Sequence, residues 1–170
     1  MTEADPRPVL LADSIPFVLS QLGTQATFRF TDLLTPLGIK PQQFGMLRIL
    51  EAAGGRSQQQ LSEALGIHRN VMVGLVDDLE KRGFVERRKH PTDRRAHAVY
   101  LLPAGYEMLT RAAGIAAALD AEITSALDAG ERETLLALLQ KTAAGSGLLP
   151  GIHPGFTTDR AAGSGCDTGH

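Results

Sequence analysis

Hydrophobic residues recur at helical spacing through most of this chain, and prolines and glycines divide the pattern into elements. Asp13 or Ser14 is placed to cap a long first helix, with Pro16 tolerated in its opening turn. Val18, Leu19, Leu22, Ala26, Phe30, Leu33, Leu34 and Leu37 give that helix an apolar face until Pro36 and Gly38 end it. Pro41 opens a second helix to about Ala53, with Phe44, Leu47, Ile49 and Leu50 turned inward and Gly54-Gly55 as its stop. Much later, Pro103 begins a long helix to about Leu127, whose Met108, Leu109, Ala112, Ile115, Ala116, Leu119 and Ile123 form a thin stripe among alanines. Asp128 and Glu131 then read as a capping box for a last helix bearing Leu135, Leu136, Leu138 and Leu139. The first helix and the last two carry more apolar surface than so small a domain buries, which predicts an interface between two copies.

Between Gln58 and Leu102 the pattern changes. Ser57 and Gln60 make a capping box for a short helix with Leu61 and Leu65 on one face, and Gly66 follows where a tight turn demands positive φ. Ile67 anchors the turn, and Met72, Leu75, Val76 and Leu79 give the next helix its buried stripe. Small Ser62 lies one turn before Gly66, where two helices must cross closely. This is the helix-turn-helix pattern, which taken alone also fits an ordinary helical hairpin. Its sequel separates the two. Glu80-Lys81-Arg82-Gly83 closes the second helix, Phe84 to Arg88 reads as a strand, and Ala98 to Leu102 as its partner across His90-Pro91-Thr92-Asp93. The whole is a winged helix-turn-helix.

Charge points the same way. Seven basic and two acidic residues fall between Lys81 and His97, a local +5 on a chain of net charge −2, which leaves −7 for the rest. A basic block on an acidic protein is the footprint of a surface that meets phosphate. The bland alternative is a solvated hairpin that resists edge-to-edge aggregation.

The segment Leu61 to Gly105 resembles the MarR family of bacterial transcriptional regulators. The matching pieces are LSEALGI at the turn, VDDLEKRGFVERR at the end of the recognition helix, the wing tip Asp93-Arg94-Arg95 and the helix opening at PAGYEML. A looser likeness extends it to roughly residues 10 to 144, through PLGIKPQQFGMLRIL and LDAGERETLLALLQK. The resemblance implies that Arg95 enters the minor groove, held by Asp93, with Arg94 on a phosphate. The physics agrees, since an arginine in a narrow minor groove meets concentrated negative potential and a carboxylate fixes its direction. Arg87 and Arg88 on the first strand join this basic set. Where such regulators carry Ser/Thr and an arginine on the exposed first turns of the recognition helix, this chain has His68, Arg69 and Asn70, then Val71, Val73 and Gly74. Arg69 and Asn70 keep hydrogen-bonding capacity for guanine and adenine edges, and the valines suit thymine methyls.

Composition narrows the classes further. The chain of 170 residues, 43% apolar and without tryptophan, suits a small helical protein packed with Leu, Ala and Val. Cys166, the only cysteine, precludes an intramolecular disulfide. No stretch reaches membrane-spanning length and the N-terminus lacks a secretory design, so the expected location is the cytoplasm with no membrane contact. No nucleophile-elbow, phosphate-loop, dinucleotide or zinc-protease pattern is present, and the five histidines (68, 90, 97, 153 and 170) lack ligand spacing, so neither an enzyme nor a cofactor or metal site is expected.

The expected organisation is a mainly α chain. Residues 1–12 form a flexible arm, 13–40 and 103–144 a helical dimerisation region, and 41–102 the winged helix-turn-helix with a two-stranded wing. Residues 145–170 form a Gly/Ser-rich tail in which Leu148, Leu149, Ile152 and Phe156 are the apolar positions. The expected activity is regulation of transcription by a homodimer on an operator of inverted half-sites in double-stranded DNA. Repression and release by a small-molecule effector complete that expectation on family grounds. The rival readings are a winged helix that binds an acidic protein partner, and an enzyme acting on a small aromatic compound between the helices.

Overall fold

A computed structural model describes residues 11–89 and 97–148 together with Pro150, Gly151 and His153. After a single 3-10 turn at Leu11–Asp13, the helices are α1 (Ile15–Leu34), α2 (Pro41–Ala53), α3 (Gln58–Leu65), α4 (Arg69–Lys81), α5 (Pro103–Ile123) and α6 (Ala129–Gly145). The strands are β1 (Arg56–Ser57), β2 (Val85–Lys89) and β3 (His97–Leu101). They form one antiparallel sheet with β3 in the middle. The chain is mainly helical around a winged helix-turn-helix, as its hydrophobic pattern predicts.

Local chemistry sets the boundaries. Pro36 cannot supply the N–H that would continue α1, so the chain tightens into a 3-10 turn over Thr35–Leu37 and leaves it through Gly38 at φ 65°. Pro41 sits in the first turn of α2, and the Gln43 side chain accepts the Lys40 N–H at 2.9 Å. Gln43 is itself buried, and its Nε2 donates to Asp78 Oδ2 at 2.7 Å, which ties α2 to α4. The winged-helix core gathers Leu47, Leu50, Leu61, Leu65, Met72, Val76, Leu79, Val85 and Val99, with Leu34 from α1 and Leu109 and Ala112 from α5 closing it.

Three details depart from the expected pattern. The wing has a third strand: Arg56 pairs with Val99 and Ser57 with Ala98, so Ser57 ends a strand and caps α3 at once. A two-residue strand carries too little alternation to be visible in the sequence. The other two strands are each displaced by one residue, with Val85 opposite Leu101 and Lys89 opposite His97. Finally, α5 stops at Ile123 rather than near Leu127: beyond Thr124 the backbone bonds shorten to three-residue steps, Ser125 N–H to the Glu122 carbonyl and Leu127 N–H to the Thr124 carbonyl, and the chain turns before Asp128 starts the next helix.

The α6 helix is capped by Asp128 and Glu131 but buries no residue, and its Leu136 and Leu138 are more than half exposed. Ile15, Val18, Leu19 and Leu22 at the start of α1 are likewise exposed. No helix among the described residues is long and apolar enough to cross a membrane.

Candidate nucleic-acid interface

The turn between α3 and α4 is built as its glycine requires. The hydroxyl of Ser57 accepts the Gln60 N–H at 3.2 Å while Gln60 Oε1 accepts the Ser57 N–H at 2.9 Å, satisfying two donors at the start of α3. Gly66 adopts φ 64° at its end, and Ile67 N–H donates to the Ser62 carbonyl at 3.0 Å. Ile67 is buried and fixes the angle at which α4 leaves.

The α4 helix then divides sharply into two faces. Met72, Leu75, Val76 and Leu79 are buried, whereas Arg69, Asn70, Val71, Val73 and Gly74 face outward. No acidic residue lies in its first turn, so the positive end of the helix dipole is unopposed there. A side-chain carbon added at Gly74 would meet nothing within 4 Å, so packing inside this chain does not require glycine at that position. Its use on an exposed helical face costs about 1 kcal/mol against alanine.

The predicted site residues fall into three groups. Arg69, Asn70 and Val73 share the exposed face of α4 with Val71. His68, expected to reach toward bases, is the N-cap of α4: its Nδ1 accepts the Asn70 N–H at 3.3 Å, leaving Nε2 as the ring's other polar atom. Arg87 turns inward. Its guanidinium bridges Asp77 and Glu80 of α4, and its backbone N–H donates to Glu80 Oε1 at 2.8 Å. Burial works against its charged form, but the hydrogen bonds and charges of Asp77 and Glu80 more than offset this, so its pKa lies above the ordinary arginine value. That arginine clamps the wing to the recognition helix and is committed within the fold. Arg88 pairs with Glu86 and lies 4.9 Å over the Tyr100 ring, yet its side chain stays 58% exposed and accessible to a phosphate. The third group, Asp93, Arg94 and Arg95, lies outside the described residues, as does His90.

Arg82 was legible only as a basic helix-closing residue. It donates to the carbonyls of Gly38 at 2.6 Å and Leu37 at 3.1 Å, and sits 4.7 Å over the Phe84 ring. It therefore latches the loop after α1 onto the end of α4. Together with Arg87 it lowers the charge that the basic segment can present to a polyanion.

A separate cavity of about 540 Å³ opens between α1, α2 and α5, with Phe30, Phe44, Leu119 and Asp120 among its walls. Among the described residues no cluster of His, Cys, Asp and Glu is arranged to hold a metal ion.

Comparison with known proteins places this geometry. The MarR family matches residues 37–96, a span that begins at the end of the 3-10 turn after α1 and includes α2, α3, α4 and β2. A putative transcriptional regulatory protein for the hcr operon of Thauera aromatica is 32% identical over 121 residues, covering 70% of this chain and 73% of that protein. The transcriptional repressor CouR, solved bound to a 23-mer DNA duplex, is 30% identical, with a TM-score of 0.71 over 82% of this chain and 99% of its own. A mutant of MarR from E. coli complexed with operator DNA is 26% identical, with a TM-score of 0.66 over 79% of this chain and 99% of its own. The chain belongs to the MarR family: it is a DNA-binding transcriptional regulator and not an enzyme.

Proposed function

We propose that the protein acts as a homodimeric repressor on an operator of inverted half-sites and is released from it by a small-molecule effector. The observation that carries the proposal is the outer face of α4, where Arg69, Asn70, Val71 and Val73 stand exposed above a fully buried stripe with no acidic residue before Asp77. In a major groove those groups meet base edges: arginine suits guanine, asparagine suits adenine, and valine suits the thymine methyl. Arg88, and by position Arg94 and Arg95 at the wing tip, supply contacts to the flanking backbone and minor groove, with Asp93 orienting Arg95.

The dimer is supported by the surface that one copy leaves uncovered. A 17-residue helix that buries nothing is marginal in water, and α6 is one, with Leu135, Leu136, Leu138 and Leu139 all exposed. The uncovered start of α1 adds Ile15, Leu19 and Leu22 to the same need. Residues 13–40 and 103–144 thus form the dimerisation region, and 41–102 the DNA-binding domain. Two recognition helices would address half-sites roughly 10 bp apart. The cavity between α1, α2 and α5 lies where these regions meet, so an occupant that favours one spacing of the recognition helices shifts the population toward it. Action on cytoplasmic DNA follows from this reading.

Arg95→Ala tests the wing. Operator affinity should fall at least about tenfold in fluorescence anisotropy, as expected for loss of a minor-groove arginine, with the dimer unchanged in sedimentation. Unchanged affinity would remove Arg95 from the interface.

A further inference from the structure

The cavity between α1, α2 and α5 combines an apolar body with an acidic edge. Phe30 and Phe44 meet edge to face, with ring centroids 5.5 Å apart, and Leu65, Leu119 and Ile123 extend the apolar lining. Its polar side chains are those of Thr27, Asp120 and His153, the last from the segment after α6. The Thr27 hydroxyl is committed to the Gly23 carbonyl at 2.8 Å. The Asp120 carboxylate makes no hydrogen bond or ion pair among the described residues, where only the Asp120 backbone carbonyl is engaged. No lysine or arginine lines the cavity. Arg29 of α1 is bound through both carboxylate oxygens of Glu122, at 3.0 and 3.1 Å, and borders a different depression.

We infer that this cavity takes a small molecule with a bulky apolar body and a cationic ammonium head that meets the Asp120 carboxylate, and that it rejects carboxylates of the same shape. The inference rests on reading the cavity as the effector site. Its size falls within the range of about 300–1,000 Å³ typical of small-molecule sites, and its lining matches their mix of apolar walls and few polar groups. An ammonium placed here gains the exposed Asp120 carboxylate at the cavity edge as its counter-ion while its apolar body meets Phe30, Phe44 and Leu119. A carboxylate there would meet no lysine or arginine and would face a like charge. Thus the Asp120 carboxylate biases the cavity toward a cationic head.

The test is calorimetric titration of the full chain at about pH 8 with naphthylmethylamine, naphthylmethanol and naphthoate, which share one apolar body while the amine is protonated and the acid ionised. The amine should bind at least about tenfold more tightly than naphthoate, and Asp120→Asn should remove its advantage over the alcohol. Ala116→Phe, which fills the cavity from α5, should abolish binding of all three while the helical circular dichroism is retained. If naphthoate binds as well as the amine, or the preference survives Asp120→Asn, the inference fails. The cavity reading then still stands, provided Ala116→Phe blocks binding. If no probe binds, or Ala116→Phe changes nothing, the effector cavity itself is lost and the inference with it.

Discussion

Replacing Val73 by glutamate is expected to cut operator affinity by more than about a hundredfold at physiological salt while leaving the chain folded. Val73 is 37% exposed, on the flank of α4 beside the buried stripe of Met72, Leu75 and Val76, and is not itself one of the buried core residues, so a longer side chain can extend into solvent. In solution the change is close to neutral. Glutamate is the better helix former by a few tenths of a kcal/mol. Arg69 one turn earlier attracts it and Asp77 one turn later repels it, each by about 0.2–0.5 kcal/mol. Against DNA the same group is desolvated beside base edges and a wall of phosphates, and Arg69, the cation one turn away, is drawn to the DNA instead of to it. Anisotropy titration beside a thermal melt separates the two effects. A Val73→Glu variant that melts normally and still binds within about threefold of the parent would mean that α4 does not enter the groove.

The largest stability effect is expected at Gly105. A side-chain carbon built there would lie 2.1 Å from the Phe84 carbonyl oxygen and 2.8 Å from Leu101 Cδ2. The first of these is backbone, and that same carbonyl accepts the Leu102 N–H at 3.0 Å where β3 passes into α5. Relief therefore requires moving the strand or the helix, not rotating a side chain. Gly105→Ala should cost about 3 kcal/mol, the upper part of the usual range for overpacking. For a chain of this size that lowers the melting temperature by roughly 6–12 °C. Urea unfolding should be followed at a fixed protomer concentration, since any association adds a concentration-dependent term. A loss below about 0.5 kcal/mol would show that the junction between wing and α5 is looser than these distances require.

The contrast between Gly105 and Gly66 shows what a linear pattern contains. Gly66 follows a short amphipathic helix and precedes a buried isoleucine, so its left-handed turn is legible from immediate neighbours. Gly105 is required by a carbonyl twenty-one residues earlier, which no local pattern displays. The same division runs through the candidate site. The two capping boxes at Ser57 and Asp128, the start of α2 at Pro41 and the buried stripe of α4 all follow from spacing over a few residues. The inward arginines do not. Arg87 is distinguished from Arg88 by Asp77 and Glu80 on another element, and Arg82 by carbonyls of the loop before α2. Counting basic residues along the chain treats all of them as surface charge. His68 is an intermediate case, because a residue before Arg69-Asn70 is visibly an N-cap position, yet histidine is an uncommon choice there.

The central claim is sequence-selective recognition of duplex DNA by two copies of α4, and selection from a pool of randomised duplexes tests it most directly. The full chain should enrich an inverted repeat whose half-site centres lie roughly 10 bp apart. The recovered duplex should bind with a steep negative dependence of log affinity on log salt, as release of counterions from phosphates requires. A pool that never converges, with equally weak binding to every duplex, would contradict the account and assign the exposed face of α4 to a partner other than DNA.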